Sequence, residues 1–225
     1  MHRLFDSHIR QILDEHQPKT LLEIGVLRGE STLQLLRWCR DNNAHLTSLD
    51  PVAWGGDLPE EIRRPMNGYK YKRGQEQFDD YVVEPRGLEE VFRDGLESNW
   101  TCVKTRSLDY LNLPEFEGFD MYLIDGDHNY YTVTSELNHI HAKFKAGTVV
   151  LFNDVAGTYS RRDLYYDPEF IPDEFRGGRK QGVLTAINDF LDSLSQKSLW
   201  RRKNCPYSFK ILTKENNGLG VLKLI

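Results

Sequence analysis

Cysteine is scarce. The chain has three, Cys39, Cys102 and Cys205, an odd number with no CxxC pair. That argues against a disulfide framework and a cysteine-based zinc site, and for a reducing, cytoplasmic setting. Long apolar runs are also missing: 148–152 is among the longest, far short of the ~20 residues of a membrane span. The first ten residues, MHRLFDSHIR, are charged from the third onward, so no secretory signal is expected. A basic excess is absent too. With 29 Lys and Arg against 34 Asp and Glu, the formal charge is -5. This disfavours a general nucleic-acid-binding surface and leaves only local basic patches. Low-complexity tracts and internal repeats do not occur. What remains is a 225-residue chain, 39% hydrophobic and 28% charged. Such a chain buries a full core unaided and is expected to form a single domain over 1–225.

Short apolar runs alternate with helical periodicity, the pattern of a parallel sheet covered by helices. Leu4, Phe5, Ile9, Ile12 and Leu13 share one face of a helix over 4–16. Strands are expected at 20–24, 45–49, 101–105, 119–124 and 148–152. Helices are expected at 31–40, with Ser31 or Thr32 as N-cap, and at 131–144, closed by Gly147. A third helix carries Val183, Leu184, Ile187, Phe190, Leu191 and Leu194. Segments 207–213 and 219–225 flank Lys214 to Gly218, whose composition reads as a hairpin turn. The expected fold is therefore α/β: a Rossmann-like three-layer sandwich with a mostly parallel seven-stranded sheet and an antiparallel C-terminal hairpin strand.

Two stretches break the alternation. Residues 52–100 join the second and third strands, and residues 156–181 follow the fifth. Both leave from C-terminal strand ends, where open α/β sheets bind ligands. Ordered insertions there act as lids or substrate loops more often than as linkers. They interleave Arg63, Arg64, Lys70, Lys72 and Arg73 with Tyr69 and Tyr71, and Arg161, Arg162, Arg176, Arg179 and Lys180 with Tyr159, Tyr165 and Tyr166. Acids are mixed in, so solvated loops are the simplest reading. A functional reading is a site for an acceptor carrying phosphate, a nucleotide-sugar or a carboxylate.

Three groups of residues could carry chemistry. The first strand ends in Glu23-Ile24-Gly25 and passes through Gly29 into a helix. Glycine allows close backbone approach and positive φ, and the helix start offers free N–H groups. Asp50 ends the second strand, where a carboxylate accepts hydrogen bonds from ribose hydroxyls; a turn cap at Asp-Pro is the alternative. The third group is Asp125-Gly126-Asp127-His128 with Asn153-Asp154, at the ends of adjacent strands. Such oxygen-rich convergence suits Mg²⁺, while local turn hydrogen bonds and a helix cap would explain the same residues without one. His128, beside two carboxylates, is a candidate general base. His139 and His141 fall two apart within one helix and cannot share a metal.

The glycine loop and Asp50 fit NAD or S-adenosylmethionine. Gly25 and Gly29 give GxxxG rather than GxGxxG, which leaves the pyrophosphate fingerprint incomplete. The motifs LLEIGVLRGEST (21–32), LTSLDP (46–51), YLIDGDHNYYTV (122–133) and VVLFNDV (149–155) together resemble class I S-adenosylmethionine-dependent methyltransferases. They are most similar to the branch of metal-dependent sugar O-methyltransferases of macrolide and aminocoumarin biosynthesis. The resemblance covers about 18–155 and the last strands, not the two insertions.

It implies that Glu23, Gly25 and Gly29 line the methionine part of the cofactor, with Glu23 near its ammonium. It further implies that Asp50 holds the ribose, that Ser107 and Leu108 contact the adenine, and that Asp125 lines the cofactor. Metal ligation falls to Asp125, Asn153 and Asp154, with Mg²⁺ as the expected ion, and the general base is Asp127. Two departures stand out: Leu27 replaces the middle glycine of the commoner ExGxGxG loop, and Asn153 replaces a carboxylate. The expected reaction is methyl transfer to a hydroxyl of a small, polar, sugar-like or anionic acceptor. The rivals are a metal-free methyltransferase with His128 as base, a non-methylating relative on the same scaffold, and a nicotinamide oxidoreductase. A homo-oligomer is left open.

Overall fold

In this computed structural model the described residues are 1–73, 76–78, 81–198, 201–203 and 205–224. A 3₁₀ turn (His2–Leu4) and a wider π turn (Phe5–Ile9) run into helix α1 (Arg10–His16). Strand β1 (Thr20–Ile24), helix α2 (Glu30–Asn42) and strand β2 (His45–Leu49) follow. The long crossover carries a one-turn helix α3 (Glu60–Arg63) and helix α4 (Arg86–Arg93), then reaches strand β3 (Trp100–Val103). Next come α5 (Ser107–Leu111), β4 (Met121–Ile124), α6 (Tyr130–His141) and β5 (Val149–Asn153). Helix α7 (Val183–Leu194) precedes the final strands β6 (Tyr207–Thr213) and β7 (Leu219–Leu224). Ile225, expected in the last strand, lies outside the described residues.

The seven strands form one sheet in the order β6-β7-β5-β4-β1-β2-β3. Strand β7 runs against both neighbours, and the other pairings are parallel. This is the expected Rossmann-like α/β sheet. Its parallel strands are apolar on both faces because helices cover both. On β5, Val149 and Leu151 join the cluster under α1, α2 and α4, while Val150 and Phe152 join the one under α6 and α7. Strand order reverses between β1 and β4, so a crevice opens beyond their C-terminal ends, where ligands bind in open α/β sheets.

Local boundaries differ from the sequence expectation for readable reasons. Helix α2 starts at Glu30 with Gly29 as its cap at φ +75°; Thr32 spends its hydroxyl on Glu23 instead, at 2.8 Å. Helix α6 starts at Tyr130, capped by Asn129, whose side chain accepts from the Thr132 amide at 2.8 Å. It ends at His141, and Gly147, at φ +90°, sits in the turn beyond. Among the described residues, no helix is long and apolar enough to cross a membrane.

Candidate active site

The loop between β1 and α2 folds onto Asp50. The amides of Val26 and Leu27 both donate to Asp50 Oδ2 at 2.9 Å, and the Val52 amide donates to Oδ1 at 3.0 Å. The Gly25 amide donates to the Leu49 carbonyl and the Gly29 amide to that of Val26. These loop N–H groups are therefore consumed internally and form no phosphate cradle of the dinucleotide kind. Gly25, at φ +92°, allows the loop to press on the next strand end: a Cβ there would lie 2.3 Å from the Asp125 carbonyl oxygen.

Glu23 lies behind this loop. It shares a strand face with Leu21, so its side chain turns under α2 and accepts from Thr32 and Ser48 at 2.8 Å each. Trp100 donates to the same Ser48 hydroxyl at 3.0 Å. Burial pushes the Glu23 carboxyl up to about 7, against those two hydrogen bonds. Gly29 likewise faces away: a Cβ there would lie 2.5 Å from Leu88 of α4. Neither residue lines the cavity described below. The expectation that both touch a cofactor meets a structure in which strand alternation turns Glu23 under α2 and helix packing sets Gly29 against α4.

Beyond β3, the Ser107 hydroxyl donates to Glu136 Oε1 at 2.5 Å. The sequence reading missed Glu136, which looks like an ordinary residue of the α6 pattern. It is fully buried, and burial pushes its carboxyl up to about 8.

The tips of β4 and β5 converge, because Ile124 pairs with Phe152 in register. The Asn153 amide donates to both Asp125 Oδ1 and Asp154 Oδ2 at 2.8 Å. Asp154 takes a left-handed φ of +58°, a strained backbone of the kind found at functional sites. The His128 ring stands between the two acids, Nε2 at 3.6 Å from Asp125 Oδ1 and Nδ1 at 3.4 Å from Asp154 Oδ2. The Met1 amino group lies 2.9 Å from Asp125 Oδ2. Burial alone would raise Asp125, but the Met1 ammonium and His128 pull it down to about 2. Burial raises Asp154, whose side chain is 2% exposed. Burial would lower His128, but Asp125, Asp154 and Asp127 together shift it upward.

Asp127 turns the other way. It accepts from the Asn129 amide at 2.7 Å, the Thr132 hydroxyl at 3.3 Å and the Tyr166 backbone at 2.9 Å. Burial outweighs these bonds and pushes it up to about 6. The Tyr166 contact ties the second insertion to the site. Asp163, also missed in the sequence, does the same from the other side, accepting from the Tyr130 and Gly182 amides at 2.8 and 2.7 Å.

These elements enclose one cavity of about 820 Å³, within the usual size range of ligand sites. Gly25, Asp50, Ser107, Leu108, Asp125, Asp127, His128, Asn153 and Asp154 all line it. Tyr69, Tyr71, Tyr81, Tyr159, Tyr166 and Phe170 form an aromatic wall brought by the two insertions. The alternative of a basic site for an anionic acceptor is not assembled, and the simpler reading of solvated loops describes these residues. Arg63, Arg64, Lys70, Arg161, Arg162, Arg176, Arg179 and Lys180 stay off the cavity; Arg64, Arg176 and Lys180 pair with Glu60, Asp173 and Asp189. The side chains of Lys72 and Arg73 lie outside the described ones. Four Arg line the cavity against seven Asp or Glu, and Arg106 among them is held by Asp167 through Nε at 3.0 Å and Nη2 at 2.7 Å.

The residues at the β4 and β5 tips fit a divalent cation. Asp125, His128 and Asp154 bring ligand atoms within 4.8 Å of one another. Among the described residues, eight buried polar side-chain atoms lack a hydrogen-bond partner, and four of them are here: both His128 nitrogens, Asn153 Oδ1 and Asp154 Oδ1. Buried polar atoms in that state call for an ion or water.

Comparison with known proteins gives a consistent picture. Residues 22–155 match the family described as methyltransferase domain. No curated protein matches the chain. Among solved structures, the chain is similar to the S-adenosylhomocysteine-bound methyltransferase PaMTH1 of Podospora anserina, with 17% identity, 99% of this chain and 79% of that one covered, and a TM-score of 0.58. It is also similar to the O-methyltransferase TomG of Streptomyces achromogenes, which takes part in tomaymycin synthesis and was solved with S-adenosylmethionine (16%, 99% and 85%, 0.56). A third is the O-methyltransferase of Bacillus cereus in complex with S-adenosylhomocysteine (15%, 96% and 79%, 0.56).

Proposed function

The chain belongs to the class I S-adenosylmethionine-dependent methyltransferases, and from that premise we propose that it methylates a hydroxyl of a small, polar acceptor with the help of a divalent metal. One observation carries this reading: the glycine loop, Asp50, Ser107 and Leu108 share a single cavity with the Asp125, Asp127 and Asp154 carboxylates. The first set takes the nucleoside and the second prepares the acceptor. Asp50 shapes the loop against the ribose, and Ser107 with Leu108 flanks the adenine. A metal held by Asp125, Asp154 and Asn153 would lower the pKa of an acceptor hydroxyl.

Asp127 takes the hydroxyl proton. Its carboxyl, at about 6, is ionised at neutral pH yet basic enough for the task. The acceptor oxygen then forms a bond to the methyl carbon as the carbon–sulfur bond breaks. Sulfur keeps the electron pair, and S-adenosylhomocysteine leaves. Little covalent help is needed, so alignment is the main contribution of the protein. The aromatic wall suits the apolar faces of a sugar ring or another flat acceptor, and the surplus of acids opposes an anionic one. A cytoplasmic location belongs to the same reading, since Cys39, Cys102 and Cys205 are free thiols.

The test is release of S-adenosylhomocysteine over a panel of hydroxylated acceptors, with and without EDTA, together with Asp125→Asn. The variant keeps S-adenosylhomocysteine binding but loses methylation. Turnover that survives EDTA would favour the metal-free reaction with His128 as base. Cofactor binding with no product across the panel would favour a non-methylating relative.

A further inference from the structure

We propose that His128 is a metal ligand, taking the place of the carboxylate that Asn153 lacks, and that the site therefore prefers a softer ion such as Mn²⁺ or Co²⁺ to Mg²⁺. This rests on the metal-assisted reading above and deepens it. The ring lies between Asp125 Oδ1 and Asp154 Oδ2 at 3.6 and 3.4 Å. An ion takes only one of the two ring nitrogens, and one ligand atom from each of Asp125, His128 and Asp154 lies within 4.8 Å of the others. Small side-chain turns therefore bring all three to a separation of about 3.0–4.2 Å, that of ligands bound at about 2.1 Å to one ion.

Both ring nitrogens are buried without a hydrogen bond. A structural histidine ordinarily donates at least one ring N–H to a fixed acceptor. Asp154, nearly sealed from solvent, also leaves Oδ1 without a partner. The Asn153 amide now donates its N–H groups to the two acids, and turning the amide over would bring its free Oδ1 to the same place. Two carboxylates, an imidazole and an amide oxygen form a mixed nitrogen and oxygen set. Imidazole favours transition metals, whereas Mg²⁺ takes oxygen ligands.

The experiment uses the metal-free full chain with Mn²⁺ alone. Electron spin-echo modulation of bound Mn²⁺ should carry a ¹⁴N signal that becomes ¹⁵N when the protein is grown on ¹⁵N-histidine. The signal should vanish in His128→Gln. Calorimetry should find Mn²⁺ weakened at least ten-fold in that variant and Mg²⁺ by under about three-fold, ten-fold being the low end for disturbing a metal ligand's surroundings. The wild-type signal needs no variant, so a misfolded His128→Gln leaves the proposal exposed to test. A nitrogen-free Mn²⁺ spectrum, or a nitrogen signal that persists in His128→Gln, overturns it while leaving the metal-assisted reading in place. No Mn²⁺ binding at all overturns both, and S-adenosylhomocysteine titration then reads the cofactor half on its own.

Discussion

Ser107 and Glu136, twenty-nine positions apart, are joined by a 2.5 Å hydrogen bond from the serine hydroxyl to Oε1. Ser107 lines the cavity and Glu136 does not. The glutamate is sealed under α6 with Oε2 unpartnered, and with its carboxyl raised to about 8 it is largely protonated at neutral pH. Ser107 is thus fixed from behind by a nearly neutral acid, an acceptor that adds little charge to a cavity already rich in carboxylates.

That arrangement has a pH signature. Glu136 has an ordinary value of 4.5 and a folded one of about 8, so between these the native state holds the proton longer than the unfolded chain. Its contribution to stability is complete below about 4.5 and is lost as pH rises through 8, at up to ~1.4 kcal/mol per pH unit. Glu23, raised from 4.5 to about 7, acts in the same direction over a narrower window. Glu136→Gln keeps the shape and removes the titration. Urea unfolding from pH 6 to 9 should therefore fall less steeply in the variant, above all between 6 and 7, and the two slopes should converge above about 8. An unchanged slope would remove Glu136 as its source.

Asp50 makes a second case. Its carboxylate gathers three backbone N–H groups from both sides of the crevice. Asp50→Ala leaves all three without their acceptor, at a cost of about 1–3 kcal/mol for each amide that stays buried. The loop should loosen and S-adenosylhomocysteine affinity should fall at least ten-fold, roughly the 1.4 kcal/mol of one such loss. Asp50→Asn, with one acceptor oxygen left, should fall between. Thermal melts with and without S-adenosylhomocysteine separate the two effects. Full affinity in Asp50→Ala would mean that the loop holds its form without this carboxylate.

The strands and their acidic tips are legible in the sequence because each is local: an apolar run, then Gly25, Asp50, Asp125 or Asn153-Asp154. Strand alternation even contains the orientation of Glu23, which keeps step with Leu21 and so faces α2 rather than the cavity. What could not be read are partnerships across long stretches of chain. Glu136 with Ser107, Asp163 with Tyr130, and Arg106 with Asp167 join residues 29, 33 and 61 positions apart. The first forms only once α5 packs against α6, and the other two only once the second insertion has folded over the sheet edge. The basic residues of the two insertions left two readings open for a related reason. Charge composition does not say which side of a loop faces inward, and here acids nearby in the sequence take up Arg64, Arg176 and Lys180.

Gly25→Ala tests the close approach of the two loops. The added Cβ would lie 2.3 Å from the Asp125 carbonyl oxygen and 2.8 Å from Gly126 Cα, at a φ of +92° that alanine resists. Backbone, not a pliant side chain, is in the way. Destabilisation of about 2–4 kcal/mol is expected from strain and overpacking together. Chemical denaturation measures it, and a change under about 0.5 kcal/mol, the range of ordinary surface substitutions, would show that the strand ends separate easily.

Arg106 and Asp167 govern the acceptor side. The guanidinium grips Asp167 through two nitrogens and packs over the Phe170 ring, which ties the start of α5 to the second insertion. Both partners are mostly buried, so the pair is shielded from solvent more than a surface bridge would be. Lysine keeps the charge but cannot reproduce the two-pronged grip or the stacking. In Arg106→Lys, proteolysis within 156–181 should speed up and the acceptor KM should rise by about five-fold or more, on the order of one lost charge-assisted hydrogen bond. S-adenosylhomocysteine affinity should hold within about two-fold, because the cofactor half of the cavity is built by other residues. Equal losses for acceptor and cofactor would mean that Arg106 supports the whole cavity rather than its acceptor wall.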